Sequence, residues 1–144
     1  IFKSNQIMSI YNITFKNKET EKIINEKMGN AYGFVEKIKL KGIGSRRLII
    51  ENFSPDISHL ELKVSGIQYA NIELRPKGII VHINQGIYTY AWTIRFYHLN
   101  IYNGDYLTIH GEGSFVQFNK EKSWKENKLF LQKLVFLKAN QTYV

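Results

Sequence analysis

The chain has 144 residues, 44% of them hydrophobic and 22% charged, with no cysteine and a net charge of +8. That length supports one domain with a real core. The missing cysteines exclude a disulfide framework, thiolate metal sites and a cysteine nucleophile, and no run approaches the roughly 20 consecutive apolar residues of a membrane span.

The charge is uneven. Residues 1–65 carry eleven Lys/Arg against seven Asp/Glu, residues 66–118 three against three, and residues 119–144 six against two. Much of the excess is lysine interleaved with acids, as in Glu19-Thr20-Glu21-Lys22. Such a pattern reads first as a solvated surface. Its sharper reading is a basic face that meets an acidic partner, phosphate or anionic lipid. Lack of cysteine points to a reducing compartment, hence the cytoplasm. The start at Ile1 rather than Met points to trimming or processing.

In chain order, Ser9 to Phe15 reads as a short strand. Asn17 then offers an N-cap and Gly29 a stop, with Ile23, Ile24, Lys27 and Met28 at helical spacing between them. Phe34, Glu36, Ile38 and Leu40 alternate with Val35, Lys37 and Lys39, which predicts a strand. Gly42 and Gly44 break the chain, and Leu48 to Phe53 is a further strand candidate. Leu60, Leu62 and Val64 alternate with Glu61 and Lys63, predicting another.

Asn71 to Leu74 is closed by the turn Arg75-Pro76-Lys77-Gly78, whose glycine is able to take positive φ. Ile79 to Ile83 follows, with Ile79, Val81 and Ile83 on one face and Ile80 and His82 on the other. After the turn Asn84-Gln85-Gly86 comes a long, bent strand region, Ile87 to Leu99. Asn103-Gly104 signals a hairpin. Tyr106 to His110 and Phe115 to Phe118 are strands either side of Gly111-Glu112-Gly113. From Trp124 to Lys138 the period becomes helical, with Trp124, Leu131, Leu134, Val135 and Lys138 near one face, extended by Asn127, Phe130 and Leu137.

Short antiparallel strands leading into one helix favour a mainly β, α+β fold over a parallel sheet. The stretch Asn71 to Leu137, within roughly residues 60–138, resembles the bacterial pleckstrin-homology-like domains. The residues that carry the likeness are Arg75-Pro76-Lys77-Gly78-Ile79-Ile80-Val81, the tryptophan strand and bend Trp92 to Leu99, the hairpin Tyr106 to Gly113, the aromatic strand Phe115 to Phe118, and the helix Trp124 to Leu137. The likeness implies a strongly bent antiparallel sheet, or partly open barrel, with one open end capped by the C-terminal amphipathic helix. On that division residues 1–58 are an N-terminal extension of short strands and a helix, packed on or continuous with the domain, and residues 59–144 are the barrel and helix. The likeness implies a binding scaffold rather than an activity. Phosphoinositide-binding members hold the headgroup with a cluster of basic residues around their first hairpin. Only Arg75 and Lys77 stand at the corresponding turn here, too few for a multi-phosphate pocket.

The stretch YTYAWTIRFY, residues 88–97, poses a choice between a nucleic-acid stacking platform and a core strand. By parity Tyr88, Tyr90, Trp92, Ile94 and Phe96 share a face that carries no charge, and Arg95 lies on the other. A platform needs exposed aromatics among basic residues, so this face reads as core. Phe115-Val116-Gln117-Phe118 matches the tail of an RNA-recognition signature, but Gly111-Glu112-Gly113-Ser114 does not match its head. The sequence therefore argues against nucleic acid as a partner. None of His59, His82, His98 and His110 has metal-ligand spacing, so no metal or cofactor is expected. His82 and His110 would form a weak proton-transfer or metal site only if their strands lie close. No nucleophile motif, phosphate loop or dinucleotide fingerprint appears, and the chain reads as non-catalytic. Arg46 and Arg47, in Lys41-Gly42-Ile43-Gly44-Ser45-Arg46-Arg47, form with Arg75 and Lys77 the candidate anion-binding set. Two functions remain: a scaffold for a protein partner or for self-association through exposed strand edges, and a binder of an anionic small molecule or membrane surface.

Overall fold

The computed structural model describes residues 9–55, 68–120 and 124–141. The expected strand at Leu60 to Val64, and His59, lie outside the described residues. Eight antiparallel strands form one sheet: β1 (Ile10–Asn12), β2 (Leu48–Phe53), β3 (Gln68–Arg75), β4 (Gly78–Gln85), β5 (Tyr88–Arg95), β6 (Leu99–Asn103), β7 (Leu107–Gly111) and β8 (Ser114–Phe118). Their order is β1-β5-β4-β3-β2-β8-β7-β6. Helix α1 (Lys18–Met28) follows β1, α2 (Phe34–Lys39) follows α1, and α3 (Trp124–Ala139) closes the described chain. Among the described residues no helix is long and apolar enough to cross a membrane.

β2 pairs with β3 on one side and β8 on the other, so it joins the two halves of the sheet. It belongs to the segment 1–58 and sits in the middle of the sheet. The alternation of β3, β4, β5, β7 and β8 sends Ile72, Leu74, Val81, Trp92, Ile109 and Phe118 into one core, which Phe130, Leu131 and Leu134 of α3 cover. Bending brings distant strands together. A Cβ at Gly111 on β7 would lie 2.8 Å from Ile94 on β5, although four strands separate these two in the sheet order. The chain turns from β5 to β6 through one 3-10 turn, Phe96–His98.

A second, smaller core lies on the outer face. There Ile24 and Met28 of α1 pack on Ile80 and Ala91, with Tyr11 and Ile13 at the margin. α1 begins where Asn17 accepts bonds from the backbone N–H groups of Glu19 and Thr20, and ends at Gly29, which takes φ +84°. The β7–β8 hairpin has Glu112 at φ +53° and Gly113 at φ +89°, the two positive values that a tight two-residue turn needs.

Two local expectations need correction. Phe34 to Leu40 is a short helix, Phe34–Lys39 with Leu40 as its C-cap, rather than a strand. A seven-residue alternation cannot exclude a helix, because Phe34, Val35 and Ile38 also share one helical face. What fixes the helix is distant: the Lys133 ammonium of α3 donates to the carbonyls of Leu40 (2.7 Å) and Gly42 (2.7 Å), groups a helix end leaves unsatisfied. Gly78 is not in the positive-φ region. It is needed for closeness: a Cβ there would stand 2.0 Å from the Ile94 carbonyl oxygen and 2.8 Å from Met28 Cε. The Arg75–Gly78 turn thus lets α1 lie flat on the sheet.

Candidate functional site

Three of the four expected anion-binding residues are exposed, but the set does not converge. The Arg47 guanidinium lies 4.6 Å from the centre of the Tyr69 ring, near the start of β3. Arg75 ends the same strand, six residues and about 20 Å further on at strand rise. Lys77 lies in the turn beyond it, its backbone N–H donating to the Met28 carbonyl. Three amides of the loop before β2 are already taken. Those of Gly42, Ser45 and Arg46 donate to Lys37 O, Ile72 O and Asn127 Oδ1. Ile43 and Gly44 align the loop with β3, Gly44 bridging to Glu73 and the Ile43 carbonyl accepting from Leu74 N.

Arg75 belongs to a different constellation. Its Nε donates to Glu73 Oε2 (2.7 Å), and one terminal nitrogen donates to Asn25 Oδ1 (2.9 Å) and to the Gly29 carbonyl (2.8 Å). The arginine thus pins the last turn of α1 to β3. Glu73 Oε1 lies 2.8 Å from His82 Nε2. Burial pushes the Glu73 carboxyl up, but its bonds to His82 and Arg75 and their charge outweigh this and hold it below its ordinary range. An ionised carboxylate only accepts, so the proton of this bond sits on His82 Nε2. The pair is not obvious in the sequence because Glu73 opposes Ile80 and Asn71 opposes His82. The two side chains meet on the diagonal.

These residues border an open groove of about 470 Å³ between α1 and the outer face of β4 and β5. Its floor is Ile80, His82 and Ala91; Thr20, Glu21, Ile24 and Asn25 of α1 form one wall; Phe15 and Lys16 stand at the rim. His82 does not meet His110. β4 and β7 are separated by β3, β2 and β8, and His110 opposes Asn100 and Phe115. Among the described residues no group of three or more metal-ligating side chains clusters.

A second surface lies at the other end of the sheet. Among the described residues β6 is its last strand and pairs only with β7. Between it and α3 runs a mostly apolar groove of about 310 Å³, where Ile101 and Leu107 face Trp124, Leu131 and Val135. α3 is amphipathic, but apolar side chains also stand on its outer side. Asn127, Phe130, Leu131 and Leu134 are buried beneath it, yet Leu129 is 78% exposed and Phe136 64%, and Val135 is 50% exposed on the groove side. The inward stripe is legible in the sequence; the outward pair Leu129 and Phe136, seven residues apart, breaks into the polar side. Lys128 lines the groove, and the Lys120 ammonium stands 4.4 Å over the Trp124 ring, also bonding Asn103 and Gly104 O. No acidic side chain lines this groove among the described residues.

The aromatic run 88–97 is core on its Tyr90-Trp92-Phe96 side. Trp92 is 1% and Phe96 2% exposed. The opposite side of β5 is covered too, Ala91 by α1 and Thr93 by the Ser9 backbone. Arg95 donates to the Lys27 carbonyl and the Tyr97 hydroxyl. The core side of this stretch offers bases no stacking surface, while Tyr97 is 54% exposed.

Compared with known proteins, the chain matches no family model, no curated protein and no solved structure.

Proposed function

We propose that the chain is a non-catalytic, pleckstrin-homology-like binding domain that engages a protein partner along β6 and α3. The fold reading is supported by the strand order, in which β2 bridges β3 and β8 and a C-terminal helix covers the core. The binding reading rests chiefly on the outward face of α3. Leu129, Val135 and Phe136 stand among the charged residues on the outer side of α3 and remain half or more exposed, with no covering element among the described residues. Apolar side chains grouped beside a groove mark an interaction surface. Beside them lies a strand edge whose far-side backbone groups face no strand among the described residues, together with an apolar groove. An extended partner segment supplies both needs: main-chain bonds to β6, and apolar side chains for the groove. The lysines at the rim favour acidic residues in that segment.

The test is co-isolation of the chain with its companions from the cells that make it, wild type against Leu129→Ser/Phe136→Ser. Both positions are exposed, so the variant keeps its thermal midpoint. The reading predicts a stoichiometric companion that the variant loses. An unchanged set of companions refutes it. A dimer of the wild type that the variant lacks identifies the partner as a second copy.

A further inference from the structure

We propose that α2 docks this domain on the surface of an anionic lipid bilayer. The contact lies outside the β6–α3 groove and needs no protein partner, so its test uses lipid alone.

A helix as short as α2 does not stand by itself in water, because nucleation costs more than so few hydrogen bonds return. Packing gives it no support either. None of its residues is buried, and Phe34 is 78%, Val35 58% and Ile38 61% exposed. α2 is held from its two ends instead. Before it, Tyr32 packs against the main core. After it, Ile43 does the same, and the Lys133 ammonium takes up the carbonyls of Leu40 and Gly42. The fold therefore holds three neighbouring apolar side chains out in water, the mark of an interaction surface.

The charges around them define what that surface meets. At about 100° per residue, Phe34, Ile38 and Val35 fall within one arc of α2. Lys37 flanks the arc on one side and Lys39 on the other. Glu36 falls on the far side, its carboxylate turned back toward Gly33. Lys41, Arg46 and Arg47 follow, so residues 34–47 carry five cations against one acid. All five are exposed, and none of them is in an ion pair among the described residues. An apolar tip with unpaired cations on both sides matches a bilayer interface, where acyl chains lie just beneath a layer of phosphate. Phe34, Val35 and Ile38 enter between the headgroups, and the lysine stems lie along the interface with their ammonium groups at phosphate level.

The probe is sedimentation of the full chain with vesicles of phosphatidylcholine, either pure or with about one-third phosphatidylserine. The expected result is binding to the mixed vesicles on the order of tenfold tighter than to the neutral ones, weakened by salt. Phe34→Ser/Ile38→Ser, at two exposed positions, should keep its thermal midpoint and bind about tenfold or more weakly. Lys37→Gln/Lys39→Gln should lose more than about tenfold. Lys18→Gln/Lys22→Gln removes the same charge from exposed positions at the start of α1 and should lose less than about threefold. If the serine variant melts early, Phe34→Trp carries the test: its emission should shift to the blue with mixed vesicles, and an unshifted emission overturns the proposal. So does a wild type that ignores the mixed vesicles or binds both kinds equally. Unchanged binding in a folded serine variant, or an equal loss from the two lysine pairs, overturns it as well. A companion protein or a dimer that the serine variant loses, with vesicle binding absent, assigns this face to a protein and has the same consequence.

Discussion

Replacing Glu73 by Gln removes the charge that organises the outer face. In the wild type this carboxylate takes one bond from Arg75 at 2.7 Å and one from His82 at 2.8 Å, and Arg75 in turn holds Asn25 and the Gly29 carbonyl. Gln keeps the shape and one acceptor. Its amide cannot serve both partners in the same way, because its NH2 end meets a second donor unless His82 changes tautomer. Hydrogen bonds to charged groups contribute about 1.5–3 kcal/mol each, and neutral ones about half that. Weakening two such bonds while keeping part of each gives a loss of about 2 kcal/mol at neutral pH. For a chain of this size that lowers the thermal midpoint by about 6 °C. The sign with pH follows from linkage. The Glu73 pKa is lowered in the folded state, so its contribution is complete above its ordinary value of 4.5 and is lost as pH falls through the folded value. The difference between wild type and Glu73→Gln, measured by far-UV circular dichroism during heating, should therefore be largest near neutrality and shrink in acid. Amide exchange should speed up first in the last turn of α1. A variant as stable as the wild type at neutral pH, or a difference that grows in acid, refutes this account of the network.

Other expectations are as direct. Gly78→Ala places a Cβ against backbone at 2.0 Å and should destabilise by more than about 3 kcal/mol; Gly104→Ala meets nothing within 4 Å and should stay within about 0.5 kcal/mol in urea unfolding. Leu134→Ala, at a fully buried position, should lose about 2–5 kcal/mol, whereas Leu129→Ala on the same helix should change stability by no more than about 0.5 kcal/mol. Lys133→Met keeps the stem but frees the carbonyls of Leu40 and Gly42, so hydrogen exchange should rise across α2 while the strands keep their protection.

Local chemistry made most elements legible. Asn17 and Gly29 bracket α1 because cap and stop are written in single residues, and the hairpins at Gly86 and Glu112-Gly113 follow from turn residues. The parity of Tyr90, Trp92 and Phe96 placed them in the core, where they are. What escaped depends on partners far away in sequence. α2 is held by Lys133, more than ninety residues on. Glu73, Arg75 and His82 share the outward parity of a hairpin, a signal that was present, but Arg75 reads as a free cation until Asn25 and Gly29 are seen to take it up. Leu129 and Phe136 escaped because the inward stripe of α3 accounted for the helix by itself.

The claim that the outward face of α3 meets another protein is tested most directly by a photo-cross-linking side chain at position 136, with position 115 on β8 as the comparison, in living cells. The account predicts a discrete adduct at 136 that position 115 does not give. A chain that stays uncross-linked at 136, or gives the same adducts from both positions, contradicts it.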